Sequence, residues 1–212
     1  MITVEEEGRT ADEAVETGVR KLGVRREYVL VEVLDEGSKG FLGLGGRQAR
    51  VRLTLTPTGR QLVEGRLTLE EMLGRMGVKV EVEGAEVEGT LRFEIRGEDA
   101  GLLIGKHGQA LESLTFLASK IMGRRLDERV RLEIDVEGYR ERRRRFLEEM
   151  ALRLAEQVKS TGEAVALEPM SSADRRTIHL TLQRDPRVRT LSQGDGLHRR
   201  LVIMPAERQA QL

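Results

Sequence analysis

Two amphipathic runs of residues meet at a glycine-rich turn near the middle of the chain. The turn is Gly105-Lys106-His107-Gly108. Glycine permits a sharp turn, and the helix that follows presents unpaired amides, so the place suits a phosphate. Taken alone, a glycine pair at this spacing more often marks a plain helix–helix turn. The first run ends in Leu102, Leu103 and Ile104, and apolar spacings near three and four predict a buried helical face in the second, at Leu111, Leu114, Phe116, Leu117, Ile121 and Met122.

The order of elements around this turn is more specific than the turn itself. Upstream, the pattern predicts a helix over 67–76 and strands over 78–83 and 88–96, and downstream it predicts a strand over 129–136. The resulting order, α-β-β-α-α-β with the glycines between the last two helices, resembles the type II KH domain. That RNA-binding fold uses its G-x-x-G loop to clamp about four nucleotides. The resemblance covers residues 66–137.

The first 55 residues predict a small β-α-β-β module. Thr10 and Glu13 have the spacing of a capping box at the start of a helix, and Gly23 marks its end. Apolar alternation predicts strands over 28–34 and 49–55.

A glycine-rich connection joins these two strands. It has no Gly-Lys-Ser/Thr ending and precedes a strand, so it is not a Walker loop. An ordinary connection and a protein contact fit the pattern equally well. The protein-contact candidates are Lys39, Phe41 and Leu42.

The C-terminal third predicts the order α-β-α-β-β. A long helix is expected over 139–160, a strand over 164–167, a helix capped by Ser171 or Ser172, and a hairpin over 188–204. The chain as a whole is therefore predicted to be α+β with three small domains. The predicted limits are 1–55 for the module, 56–65 for a linker of turn residues, 66–137 for the KH unit, 138–205 for the last domain and 206–212 for a tail.

Two basic features lie in this last domain. The run Arg142–Arg145 at the start of the long helix favours a solvated face, with a phosphate track as the alternative. Arg175 and His179 stand at i and i+4 on one helical face. Their Arg-x-x-x-His spacing, with the sequence from Pro169 to Ile203 around it, resembles the R-three-H domain, a binder of single-stranded nucleic acid. The resemblance gives Arg175 and His179 the two residues for which that family is named.

The three domains in this order resemble the Jag family of SpoIIIJ-associated, KhpB-like proteins. The glycine-rich stretch from Ser38 to Gly45 is similar to the motif of the family's N-terminal domain. The resemblance implies a bacterial RNA-binding protein that acts as an RNA chaperone or post-transcriptional regulator. It also implies a small single-KH-domain partner of the KhpA type and a link to cell-wall synthesis, cell shape and division.

Composition narrows the class of protein further. The 212 residues include no cysteine, which excludes disulfides, thiolate metal sites and thiol nucleophiles. No apolar stretch approaches the ~20 residues of a membrane span, and the first residues lack the pattern of a signal peptide. These observations predict a cytoplasmic protein.

The formal net charge is zero, so the distribution of charge matters more than its sum. Residues 170–205 hold seven arginines against three aspartates, whereas residues 66–136 hold 11 basic and 14 acidic groups. A ligand of the KH unit would therefore depend on a local patch around Lys106.

We predict an RNA-binding protein without catalysis, cofactor or metal. Backbone amides around Gly105 and Gly108 would meet phosphates, and the cationic groups of the last domain would form a second contact. The alternatives are a metal-dependent nuclease, although the three histidines have no metal-site spacing, and a protein adaptor with vestigial RNA sites. The predicted RNA-binding residues are Ile104, Gly105, Lys106, His107, Gly108, Gln109, Arg175, Arg176, His179, Arg199 and Arg200.

Overall fold

The computed structural model describes residues 2–38 and 47–206, except for the side chain of Leu197. The N-terminal module consists of β1 (Thr3–Gly8), α1 (Ala11–Leu22), β2 (Val29–Asp35) and β3 (Ala49–Leu55). Its antiparallel sheet has the order β1-β3-β2, and α1 packs against it around buried Ala14, Val15, Val51 and Leu53. The Thr10 side chain caps α1, and Gly23 ends it in the left-handed conformation, as predicted.

A single helix, α2 (Pro57–Arg75), follows this module directly. The prediction of a linker of turn residues over 56–65 is therefore wrong. Thr56 caps the helix by accepting a hydrogen bond from the Gly59 amide, and Pro57 occupies its first turn. Threonine followed by proline suits a helix start as well as a turn, because proline's fixed φ is already helical.

The KH sheet consists of β4 (Glu81–Val87), β5 (Thr90–Arg96) and β6 (Leu132–Val136), in the order β4-β5-β6. β4 and β5 form an antiparallel hairpin, whereas β5 and β6 are parallel. The crossover between β5 and β6 contains α3 (Gln109–Leu126), which begins directly after the glycine turn. The helix predicted before that turn is a short 3₁₀ helix, Ala100–Leu103. The α+β fold and the KH element order are otherwise confirmed.

The C-terminal domain consists of α4 (Tyr139–Thr161), β7 (Val165–Ala166), α5 (Ser172–Leu182), β8 (Val188–Gln193) and β9 (Arg200–Pro205). Its antiparallel sheet has the order β7-β9-β8. The two helices pack together on one side of the sheet, where they bury apolar side chains of α4, α5 and β9, among them Leu147, Ala151, Ile178, Leu201 and Ile203.

The chain divides into two compact units. One contains residues 1–103 and 110–137, and the other contains residues 104–109 and 138–212. The glycine turn thus belongs by its contacts to the C-terminal unit. Among the described residues, every helix falls short of the continuous apolar length that a membrane span requires.

Candidate nucleic-acid interface

The G-x-x-G loop has an unusual backbone. Gly105, His107 and Gly108 have φ angles of 66°, 54° and 85°, all in the region that favours glycine. Lys106–Gly108 form one 3₁₀ turn, in which the Gly108 amide donates to the Gly105 carbonyl over 3.4 Å. The first amides of such a turn have no acceptor within it, so they remain available to a ligand.

Gly108 also allows a close approach of the backbone to an aromatic ring. A Cβ built there would lie 2.9 Å from Cε1 of Tyr139, the first residue of α4. Only glycine therefore fits this position, because of both its φ angle and its neighbour.

The two side chains of the loop face a carboxylate. Oε2 of Glu168 lies 3.3 Å from Nε2 of His107 and 3.9 Å from Nζ of Lys106. Lys106 is exposed, and His107 is half-buried. The carboxylate lies beside the same two side chains that a phosphate would contact. An anionic ligand would therefore compete with it for these side chains.

The helix α5 is fixed to α4 by a nearly buried ion pair. Two N–H groups of Arg143 donate to one carboxylate oxygen of Asp174, at 2.9 and 3.1 Å. Asp174 is one of only two polar residues found buried among the described residues. The sequence pattern does not predict this pair, since the two partners lie 31 residues apart.

Other arginines of the run pair with acids on their own helix. Arg144 donates to Glu141 and Glu148, and Arg145 donates to Glu141. Hydrogen bonds from Arg144 and Arg145 lower the pKa of Glu141 from its ordinary 4.5 to about 2. These pairings favour the solvated face over the phosphate track, because a neighbouring carboxylate already engages N–H groups of each paired guanidinium and offsets its charge.

A groove of about 680 Å³ lies between α5 and the strands β8 and β9. It brings together four of the predicted residues: Arg175, Arg176, His179 and Arg199. Arg200 is exposed but does not line it. The groove also has three hydroxyl side chains that sequence reasoning missed: Ser172, Thr190 and Ser192. For Thr190 and Ser192, the available signal was polar residues at alternate positions of a predicted strand.

The two residues named by the Arg-x-x-x-His spacing differ in their surroundings. Nη1 of Arg175 donates to the Met170 carbonyl over 2.6 Å, so this half-buried side chain also holds the start of α5 in place. His179 is exposed, and its Nδ1 lies 2.7 Å from the Thr190 hydroxyl oxygen. Losing Arg175 would therefore disturb the fold as well as the groove.

Two further predictions concern the other kinds of site. Lys39, Phe41 and Leu42 lie outside the described residues, so their protein contact stays a prediction. Within residues 2–38 and 47–206, no three acidic or histidine side chains are grouped to hold a metal ion.

Comparison with known proteins matches each of the three stretches to a family model. A Jag N-terminus matches residues 7–55, a KhpA/KhpB KH domain matches 66–134, and an R-three-H domain matches 145–205. A Bacillus subtilis (strain 168) protein named RNA-binding protein KhpB is 36% identical over 205 residues, which cover 96% of this chain and 98% of the relative. The chain belongs to the Jag/KhpB family.

Further KhpB relatives agree with this assignment. A Clostridium symbiosum protein of the same name is 36% identical over 206 residues, which cover 96% of this chain and 90% of the relative. One from Lactiplantibacillus plantarum is 40% identical over 114 residues, or 54% of this chain and 35% of the relative. The G-x-x-G loop lies inside the KhpA/KhpB KH match, and the groove lies inside the R-three-H match.

Proposed function

We propose that this KhpB-family protein binds single-stranded RNA at two places, the G-x-x-G loop and the α5–β8 groove, and that it does so without catalysis. The observation that carries the proposal is the groove, where arginine side chains, one histidine and three hydroxyls surround a space of about 680 Å³. The guanidinium and imidazole groups among them are donors to phosphate oxygens. Relatives that cover nearly the whole chain are named RNA-binding proteins.

The proposed binding uses two modest sites rather than one strong site. The loop offers backbone amides with Lys106 and His107, and the groove offers Arg175, Arg176 and His179. Two sites on one strand raise the apparent affinity through effective concentration. The aromatic content of 3% suits recognition of the RNA backbone more than base stacking.

The loop is tested by changing Lys106 and His107 together to Asp. This double variant keeps both glycines but places negative charge where the phosphate would lie. We expect the affinity for a labelled single-stranded RNA to fall at least about tenfold, or about 1.4 kcal/mol. A matched control is Lys79→Asp, an exposed lysine elsewhere in the KH stretch. Unchanged affinity in a folded double variant would contradict the role of the loop, and no RNA binding by the wild-type chain would favour the adaptor alternative.

The proposal includes a partner, a small single-KH-domain protein of the KhpA type. Its support is an exposed apolar pair on α3, Phe116 and Leu117, which are 60% and 51% exposed. Changing Phe116 to Lys should abolish co-elution with such a partner and leave the melting temperature unchanged, because the ring is mostly in solvent. Exposed Leu152→Lys on α4 is the control. Undiminished co-elution would count against this face.

We also propose a cellular role, which is supported by the similarity to the Jag/KhpB family. We place the protein in the cytoplasm, as an RNA chaperone and post-transcriptional regulator that influences cell-wall synthesis, cell shape and division. The nuclease alternative predicts cleavage of labelled RNA with Mg²⁺ or Mn²⁺ that disappears in His179→Ala. Crosslinking and sequencing of bound RNA from cells would identify the targets.

A further inference from the structure

The edge strand β8 has hydroxyl side chains at positions where the alternation of buried and exposed residues predicts apolar side chains. Val188, Thr190 and Ser192 lie on one face of the strand, because alternate residues share a face. Their partners across the sheet are Pro205, Ile203 and Leu201, of which Ile203 and Leu201 are buried in the core. Val188 is buried as expected, whereas Thr190 and Ser192 are half-buried and line the groove.

A valine at position 190 would suit the fold at least as well as threonine. The two side chains have nearly the same shape, and valine favours strands and apolar surroundings. Local departures of this kind are expected at functional sites. The fold alone therefore gives no reason for the hydroxyl.

The Thr190 hydroxyl has a polar partner that does explain it. Its oxygen lies 2.7 Å from Nδ1 of His179, one turn beyond Arg175 on α5. An exposed histidine ring otherwise turns about its side-chain bonds and exchanges its two nitrogens. Engaging Nδ1 fixes the ring plane and leaves Nε2 as the nitrogen for a ligand.

We propose that Thr190 is a positioning residue for RNA binding, which holds the His179 ring so that Nε2 meets a phosphate oxygen in the α5–β8 groove. This inference rests on the proposed function of the groove. The hydroxyl acts through His179 and does not itself contact RNA. When the hydroxyl donates to Nδ1, the neutral ring carries its proton on Nε2, the donor that a phosphate oxygen requires.

The test compares Thr190→Val with Thr190→Ser in the full chain. Valine removes the hydroxyl and keeps the shape, so we expect an unchanged or higher melting temperature and an affinity for a short single-stranded RNA that falls about threefold or more. Serine keeps the hydroxyl and should bind nearly as the wild type does. Thr181→Val is the matched control, since within the described part of the chain the Thr181 hydroxyl donates only to the Thr177 carbonyl of its own helix.

A double variant separates this inference from the proposed function. Thr190→Val should weaken binding no further once His179 is Ala, because both changes remove the same interaction. If His179→Ala leaves the affinity unchanged, the proposed contact of His179 fails, and the inference fails with it. If His179→Ala weakens binding but Thr190→Val does not, only the positioning role is overturned. A lower melting temperature for Thr190→Val with unchanged affinity at low temperature would show a purely structural hydroxyl.

Discussion

Glu168 shows how one exposed side chain can set the strength of a binding loop. Its carboxylate faces both Lys106 and His107. Ion pairs in solvent contribute little to stability, so this contact adds little to the stability of the fold. It nevertheless places a negative charge where the proposed phosphate would lie, and the ligand must displace it.

Glu168→Gln should therefore strengthen RNA binding. Glutamine keeps the shape and removes the competing charge, so we expect a gain in affinity of about twofold to fivefold, from the ordinary strength of an exposed ion pair. Titration with labelled single-stranded RNA at low salt measures it. Glu163→Gln is the control, because Glu163 is an exposed carboxylate in the same segment without an ion-pair partner among the described residues. An equal gain from both variants would indicate a general effect of charge.

Individual residues also show which parts of the candidate site can be predicted from the sequence and which cannot. The sequence predicts the G-x-x-G loop, Arg175 and His179 as site residues because they form motifs of neighbouring residues along the chain. Thr190 and Glu168 were missed because their partners are distant: 61 residues separate Glu168 from His107. Spacing along a sequence carries no information about such contacts, which depend on how the elements fold back.

At the scale of elements, β4 shows where the hydrophobic pattern misleads. The predicted strand over 78–83 stops before Gly84, whereas β4 extends to Val87. Gly84 suggests a turn, yet it pairs across the hairpin with Phe93. A Cβ at Gly84 would lie 2.6 Å from the Phe93 ring, and one at Gly65 of α2 would lie 2.3 Å from it. Both glycines serve packing on one buried ring rather than chain reversal.

Gly84→Ala should consequently destabilise the compact unit that contains residues 1–103 and 110–137. The added methyl has no room beside Phe93, and overpacking of this kind costs roughly 1–3 kcal/mol. Gly74→Ala on α2 is the control, because nothing lies within 4 Å of its Cβ position. It should raise stability by about 0.5–1 kcal/mol, the helix preference for alanine. Denaturant unfolding measures both, and a stabilised Gly84→Ala would contradict the proposed packing.

At the scale of the whole chain, α2 belongs to two domains at once. Val63, near its middle, packs in the core of the N-terminal module, and Arg66 donates to the Leu22 carbonyl over 2.9 Å. Further along, Leu69 and Leu73 are fully buried, and α2 packs against β4. Tyr28 of the module also accepts a hydrogen bond from the Glu86 amide of β4. The module and the KH sheet are therefore parts of one compact unit.

This arrangement predicts how truncation within α2 changes thermal stability and where trypsin cleaves the native chain. A fragment that starts at Arg66 loses the capped first half of α2, so it should melt below one that starts at Thr56. In the native chain, trypsin should spare Arg60 and Arg66, since helical backbone must open before cleavage. Thermal melts of the fragments and mass spectrometry of the digests measure these outcomes. Rapid cleavage after Arg60 under native conditions would contradict the continuous helix and support a flexible linker over residues 56–65.

Because α2 is a continuous helix between two domains, its length determines the direction in which the N-terminal module points from the helix axis. Each residue turns an α-helix by about 100° and advances it by 1.5 Å. One residue inserted near Arg60 would swing the N-terminal module about a quarter of the way around the axis of α2, and the Tyr28–Glu86 bond could not form. About seven inserted residues, close to two full turns, would bring the module back to its original bearing at a greater distance. Insertions and deletions here therefore change the direction of the module by their helical phase and its distance by their size.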